Sequence, residues 1–250
     1  MTHKLAWIPL LVVPTLLFLP VAAVFALSSL DVRVAQSLAF DPTVGDFVAR
    51  HAFWANGVLH DGGRILIWAI GLACLGLSAA GYLRDSRGAP RFPRLHAVRR
   101  DLAWAFAGMM LIVLVIGALK QITDVDCPWS LTLFGGTKPY SGVFGARPPG
   151  VAPGACFPGA HAGSAFALVA LYFAFRDSRP RLARRLLLAP LVIGTAFAVG
   201  QEARGAHFLS HDLWSAYLAW MLGACCWVVR TRLDMRQGRL AEHPADVSIR

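Results

Sequence analysis

The hydrophobic positions of this chain fall in long, nearly unbroken runs, and the polar positions crowd into the intervals between them. Six runs stand out, over residues of about 6–28, 64–83, 101–119, 160–176, 185–203 and 211–229. A bilayer core of ~30 Å needs about 20 apolar residues in a helix, because only helices or closed barrels satisfy every backbone polar group there. The pattern predicts an all-α, polytopic membrane protein with six transmembrane helices. The first run ends in the small residues of "AVFA" but is longer than the roughly 7–15 apolar residues of a secretory signal, so it is expected to remain as a helix.

The intervals differ in character. Residues 29–63 hold two short amphipathic stretches, "DVRVAQSLAF" and "VGDFVARHAFWANGVLHDGG", separated by the Asp41-Pro42 breaker and suited to lie along the interface. Residues 120–159 form a long connection rich in Gly and Pro, of the kind that usually carries function or is disordered. No internal repeat or linker interrupts the series, so residues 1–250 are expected to form a single six-helix membrane domain.

Composition agrees: 56% of the residues are hydrophobic and 15% are charged. The formal charge of +10 could suggest nucleic acid, but its placement argues otherwise. With a cytoplasmic N-terminus, 17 of the 24 basic residues fall on the cytoplasmic side, from Lys4 through the basic loops at 84–100 and 176–185 to the tail ending in Arg239 and Arg250. That bias follows the positive-inside rule and places both termini in the cytoplasm of a bacterial inner membrane, with no nucleic-acid partner implied.

The residues with possible chemistry then gather at the opposite, periplasmic face: His60, Asp61, Arg64, Lys120, Lys138, His161, Arg204, His207, His211 and Asp212. Cys127 and Cys156 sit at the two ends of the long outer loop, in a compartment where disulfides persist, and are expected to pair. Lys120 ends the third helix with a cation. Pro158 to His161 open the fourth, where unpaired N–H groups and the small residues Gly159 and Ala160 suit close approach of a phosphate. If residues 201–212 are helical, Gln201, Arg204, His207 and His211 share one face. A cation, a neutral imidazole and a carboxylate, Asp212, suit nucleophilic displacement at phosphorus. The same i, i+4 histidines would also suit a metal-dependent membrane hydrolase, with His161, His60 or Asp212 as third ligand, but no Glu stands between them to serve as base.

These motifs resemble the type 2 phosphatidic acid phosphatase superfamily, whose active site is shared with vanadium haloperoxidases. That family carries Lys, six residues, Arg-Pro; then Pro-Ser-Gly-His; then Ser-Arg, five residues, His, three residues, Asp. This chain has Lys120, six residues, Cys127-Pro128; Pro158-Gly159-Ala160-His161; and Gln201, five residues, His207, three residues, His211, with Asp212 next. The resemblance implies that Lys120 binds phosphate, that His161 is the general acid and that His207 is the nucleophile forming a phosphohistidine. Arg204, with Gln201 and the peptide at Gly159 and Ala160, is the expected remainder of the phosphate site. Asp212 or His211 supports His207, and His60, Arg64 and Lys138 are candidate headgroup contacts. The family's Arg, Ser, Arg and Asp are replaced by Cys127, Gly159, Gln201 and His211. The resemblance implies no metal or organic cofactor, and a lipid phosphate as substrate: phosphatidic acid, phosphatidylglycerol phosphate, a polyprenyl diphosphate or lipid A phosphates. The contrasting reading is a family member that has lost catalysis and binds or moves phospholipid.

Overall fold

The computed structural model describes residues 7–238; Lys4, Arg239 and Arg250 of the charge count lie outside them. The described chain is mostly helical. Helix α1 (Trp7–Leu27) leads to a short α2 (Leu30–Leu38) and a two-residue antiparallel ribbon, β1 (Phe40–Asp41) with β2 (Asp46–Phe47). A π-helical segment, Trp54–Gly62, runs directly into α3 (Gly63–Ala80). Then come α4 (Pro93–Ile122), the pair α5 (Ala160–Phe166) and α6 (Val169–Phe175), the pair α7 (Pro180–Leu186) and α8 (Leu188–Ala203), and α9 (Leu209–Arg236).

Five helical stretches are long and apolar enough to cross a membrane: Trp7–Leu27, Trp54–Ala80, Pro93–Ile122, Pro180–Ala203 and Leu209–Arg236. The sixth expected span is shorter, the apolar stretch Ala160–Phe175, interrupted between α5 and α6. The expected boundaries at 64–83 and 101–119 understate two helices, since the second begins at Trp54 and the third runs from Pro93 to Ile122. Polar residues at these ends hid helix that continues past the hydrocarbon-like run. Residues 54–62, expected to lie along the interface, instead form the first turns of the second long helix. The helices turn Leu16, Leu17, Ile65, Leu114, Leu188 and Val192 outward, a surface that water would not favour and acyl chains would.

The core is built where α4 meets α5, α6 and α9. Met109, Ile112 and Ile116 of α4 are fully enclosed, against Ala162, Ala165, Leu168 and Ala219. Small residues on the facing helices allow this close approach. At one end of the bundle, charges are buried in pairs: Arg230 bonds Asp101 and lies 3.6 Å from Asp234, Arg100 also bonds Asp234, and Ser178 donates to Asp101 at 2.9 Å. Pairing offsets the desolvation of these groups and pins α4 to α9. The other end carries Lys120 at the end of α4, His161 at the start of α5, and the turn between α8 and α9.

That turn does not meet the condition of a helix through 201–212 on which the shared face depended. Helix α8 stops at Ala203, Gly205 adopts a left-handed φ of 73°, and Phe208 is extended before α9 starts at Leu209. A side chain at Gly205 would also strike the Phe47 ring, at 2.3 Å from an added Cβ. Backbone bonds fix the turn, with Ala206 N–H donating to the Gln201 carbonyl and Trp129 N–H to that of Gly205, both at 2.9 Å. An apolar cap of Phe47, Leu131, Phe134 and Phe208 packs over it.

Candidate active site

The break after Ala203 frees His207 from the helical face that the sequence suggested. It lies in the turn, 4% exposed, and its Nδ1 donates to Asp212 Oδ1 at 2.7 Å. Asp212, in the first turn of α9 and 2% exposed, therefore meets His207 across the irregular start of the helix. His211, the residue at the family's Asp position, does not bond His207; their ring centres are 6.1 Å apart. His211 is fully buried, in T-shaped contact with Phe157 and Phe208, and among the described residues neither ring nitrogen closes a hydrogen bond, although the Cys156 backbone lies beside it. The i, i+4 metal pairing loses its premise too, because His207 stands outside α9.

With Nδ1 holding the proton, Nε2 of His207 keeps its lone pair and has no hydrogen-bond partner among the described residues. Burial, reinforced by the nearby charges of Lys120, Arg204 and His60, pushes the His207 pKa down to about 3. The ring is therefore neutral across the physiological range.

Gly159 explains how Asp212 reaches it. A Cβ at position 159 would lie 1.9 Å from Asp212 Oδ1 and 2.6 Å from His207 Nδ1, inside the bond between them. The expectation that the Gly159 peptide receives phosphate needs correction, because its N–H donates to the His211 carbonyl at 3.2 Å. Its carbonyl accepts from Ser215 Oγ at 3.0 Å, and Ser215 also bonds the His211 carbonyl. The segment before α5 is thereby locked to α9. Gly159 is small to admit a carboxylate, and Ala160 follows it as the first residue of α5.

The cations divide into free and spent. Lys120, half-buried, makes no hydrogen bond or ion pair among the described residues and lies within electrostatic reach of Asp212 and His207. Arg204 donates from Nη1 to Gln201 Oε1 at 3.1 Å and faces the Trp129 ring at 5.9 Å, while its Nε is enclosed without a partner among the described residues. Gln201 is buried and its amide oxygen is occupied, so it orients Arg204 rather than standing free for phosphate as expected. Lys138 is spent: it pairs with Asp126 at 2.7 Å and donates to the Ala152 carbonyl at 2.8 Å, holding the outer loop instead of a headgroup. Arg64 is exposed, 3.9 Å from Asp61.

His161 stacks on Phe197 with ring centres 4.4 Å apart, and its Nε2 donates to the Leu59 carbonyl at 3.1 Å. The His60 ring lies next to it, at 4.7 Å between ring centres and a tilt of 38°. Cys127 and Cys156 are bonded as expected, across a sequence separation of 29.

The sequence profile of the PAP2 superfamily matches residues 101–234, more than half of the chain, from within α4 to near the end of α9, a segment that carries Lys120, His161, His207 and Asp212. The chain belongs to the PAP2 superfamily. Membership points to phosphatase or phosphotransferase activity on phosphorylated substrates. No curated protein and no solved structure matches the chain. Within this PAP2 site, sequence reasoning missed three supports: Asp31, which accepts from both the N–H and the hydroxyl of Ser210 and so caps α9 from α2; Ser215; and the Leu59 carbonyl. Ser215 carried a faint signal as a polar residue in an apolar stretch, whereas Asp31 lay in an amphipathic one and did not stand out. The third, a backbone group, carried none.

Proposed function

We propose that this protein removes phosphate from a lipid-linked phosphate or diphosphate, or transfers it, through a phosphohistidine on His207. The observation that carries the reading is the buried His207–Asp212 bond of 2.7 Å, which leaves Nε2 unprotonated, without a partner among the described residues and within electrostatic reach of Lys120. Nε2 attacks phosphorus, Asp212 holds the ring and stabilises the positive charge it gains, and the P–O bond to the lipid breaks as His161 protonates the leaving oxygen. Lys120 and Arg204 have unspent donors for the phosphoryl oxygens, where charge spreads in the transition state. Water, or a lipid hydroxyl in the transfer reaction, then attacks the phosphohistidine.

The reading places one domain of six spans in a bacterial inner membrane, with the site at the periplasmic face and both termini in the cytoplasm. The basic bias of the loops and the bonded Cys127–Cys156 pair support that orientation. A phosphate-release screen over phosphatidic acid, phosphatidylglycerol phosphate, a polyprenyl diphosphate and lipid A, run beside His207→Ala, tests it. Release from at least one lipid, abolished in the variant, is expected; equal release by the variant rejects the assignment.

A further inference from the structure

Arg204 carries its charge on a long side chain, and a cation serves a transition state only if it is held in place beforehand. Two groups hold it. The buried Gln201 accepts from Nη1 at 3.1 Å, and Cζ lies over the indole of Trp129, 5.9 Å from the ring centre, where the ring quadrupole attracts it. Trp129 is itself fixed. Its N–H donates to the carbonyl of Gly205, the residue after Arg204, at 2.9 Å, and it lies in the short helical turn Pro128–Ser130 that follows the disulfide-bonded Cys127. Backbone and ring of one residue therefore both engage the Arg204–Gly205 segment. Cys127 stands where the family has the first of its arginines, so the loop that lost one guanidinium supports another. Arg50 also faces this ring, at 5.2 Å, but lies 3.6 Å from Asp46. Arg204 has no carboxylate paired with it among the described residues and acts electrostatically on His207. Of the two cations at the indole, Arg204 is the one with charge to spare for an anion.

We infer that Trp129 positions Arg204 for the phosphoryl group, so that the loop with Cys127 in the family's arginine place restores the missing cation through an indole two residues on. The inference rests on the phosphate-binding role proposed above for Arg204. Trp129 acts through Arg204 and is a positioning residue. Without the ring the guanidinium keeps only Gln201, and its unspent donors are no longer held toward the phosphoryl oxygens. Lys120 then carries the charge of those oxygens with less help, and both phosphate binding and turnover weaken.

The test reads two quantities on the full-length protein in detergent. One is kcat/KM on a lipid phosphate turned over in the screen above. The other is binding of inorganic phosphate, followed by phosphorus NMR titration in the His207→Ala background, where no phosphoryl transfer intervenes. Trp129→Leu is expected to lower kcat/KM by about three- to thirtyfold and to weaken phosphate binding by a similar factor, the span of a cation–π contact from exposed to desolvated. Trp129→Phe keeps an aromatic face and is expected to lose about threefold or less. In Arg204→Gln protein the further loss from Trp129→Leu is expected to shrink below about twofold, because the ring then has no guanidinium to hold. Arg50→Gln is expected to change either quantity by less than about twofold, as for a partly exposed ion pair. Equal Trp129→Leu losses with and without Arg204, or an Arg50→Gln loss matching that of Trp129→Leu, overturn the inference and leave the indole a support of the outer loop. Phosphate binding that is absent in the His207→Ala background overturns it too. Phosphate bound in the expected order of variants, with no release from any lipid by the wild type, is a different result: it rejects the proposed function and leaves the inference standing.

Discussion

The hydrogen bond from His207 to Asp212 passes through the space that a side chain at position 159 would fill: an added Cβ there would lie 1.9 Å from Oδ1 and 2.6 Å from Nδ1. Two departures from the family pattern, Gly for Ser and an acidic residue one position late, are therefore one arrangement. Asp212 takes over the support of His207, and Gly159 makes room for it.

Asp212→Asn keeps the shape and removes the charge. The amide can present its NH2 to Nδ1, which would move the ring proton to Nε2 and abolish the nucleophile. A kcat loss of about 10²- to 10⁴-fold is expected, with protein yield preserved. His211→Asn is expected to lose far less activity, because His211 makes no bond to His207. Similar losses in the two variants would reassign the supporting residue.

Installing the family's own residue should be harmful here. Gly159→Ser forces either Asp212 or His207 to move and is expected to lower kcat by at least about tenfold and stability by roughly 1–3 kcal/mol, as overpacking does. Adding His211→Asp and Asp212→Ala to it recreates the family's register and clears the clash, so part of the activity is expected to return. Full activity in the single variant, measured by phosphate release, would contradict the interlock.

Much of this was legible in the chain. Six apolar runs located the helices, and the motif spacing located Lys120, His161 and His207, because apolar length and spacing along the sequence are local properties. What was hidden is non-local. Whether residues 201–212 continue as helix depends on Gly205 lying against Phe47, a contact over more than 150 residues of sequence, and Asp212's reach depends on that break. Lys138 and Arg204 look alike as cations near the outer face. Only the fold shows that Asp126 and loop carbonyls consume the first, while Gln201 leaves Arg204 Nε unspent.

The depressed pKa of His207 ties stability to pH. Its folded value of about 3 lies below the ordinary 6.5, so between these limits the unfolded chain binds a proton that the folded chain does not. Stability from this group is fully present above about pH 6.5 and declines as pH falls toward 3. His207→Gln removes the effect, so its Tm is expected to fall less steeply than that of wild type between about pH 7 and pH 5. Parallel Tm curves for the two proteins would show that burial does not hold His207 neutral.

The outer loop offers the last test. Cys127 and Cys156 close a loop of 29 residues in sequence separation, for which constraint of the unfolded chain is worth about 3.6 kcal/mol in the chain-entropy relation. The same loop is also held by Arg147, which bonds Asp124 at 2.9 Å and Asp126 at 2.9 Å, and by Lys138 on Asp126. These ion pairs do not depend on the disulfide, so its loss should weaken the protein without releasing the loop. Cys127→Ser/Cys156→Ser is expected to lower Tm markedly while keeping measurable turnover, and Arg147→Ala added to it is expected to remove most of what remains. Peptide mapping of the oxidised wild type should recover the two cysteines as one linked species. Two freely alkylated thiols in the native protein would sink the pairing, and undiminished turnover in the triple variant would show that the loop does not support the site.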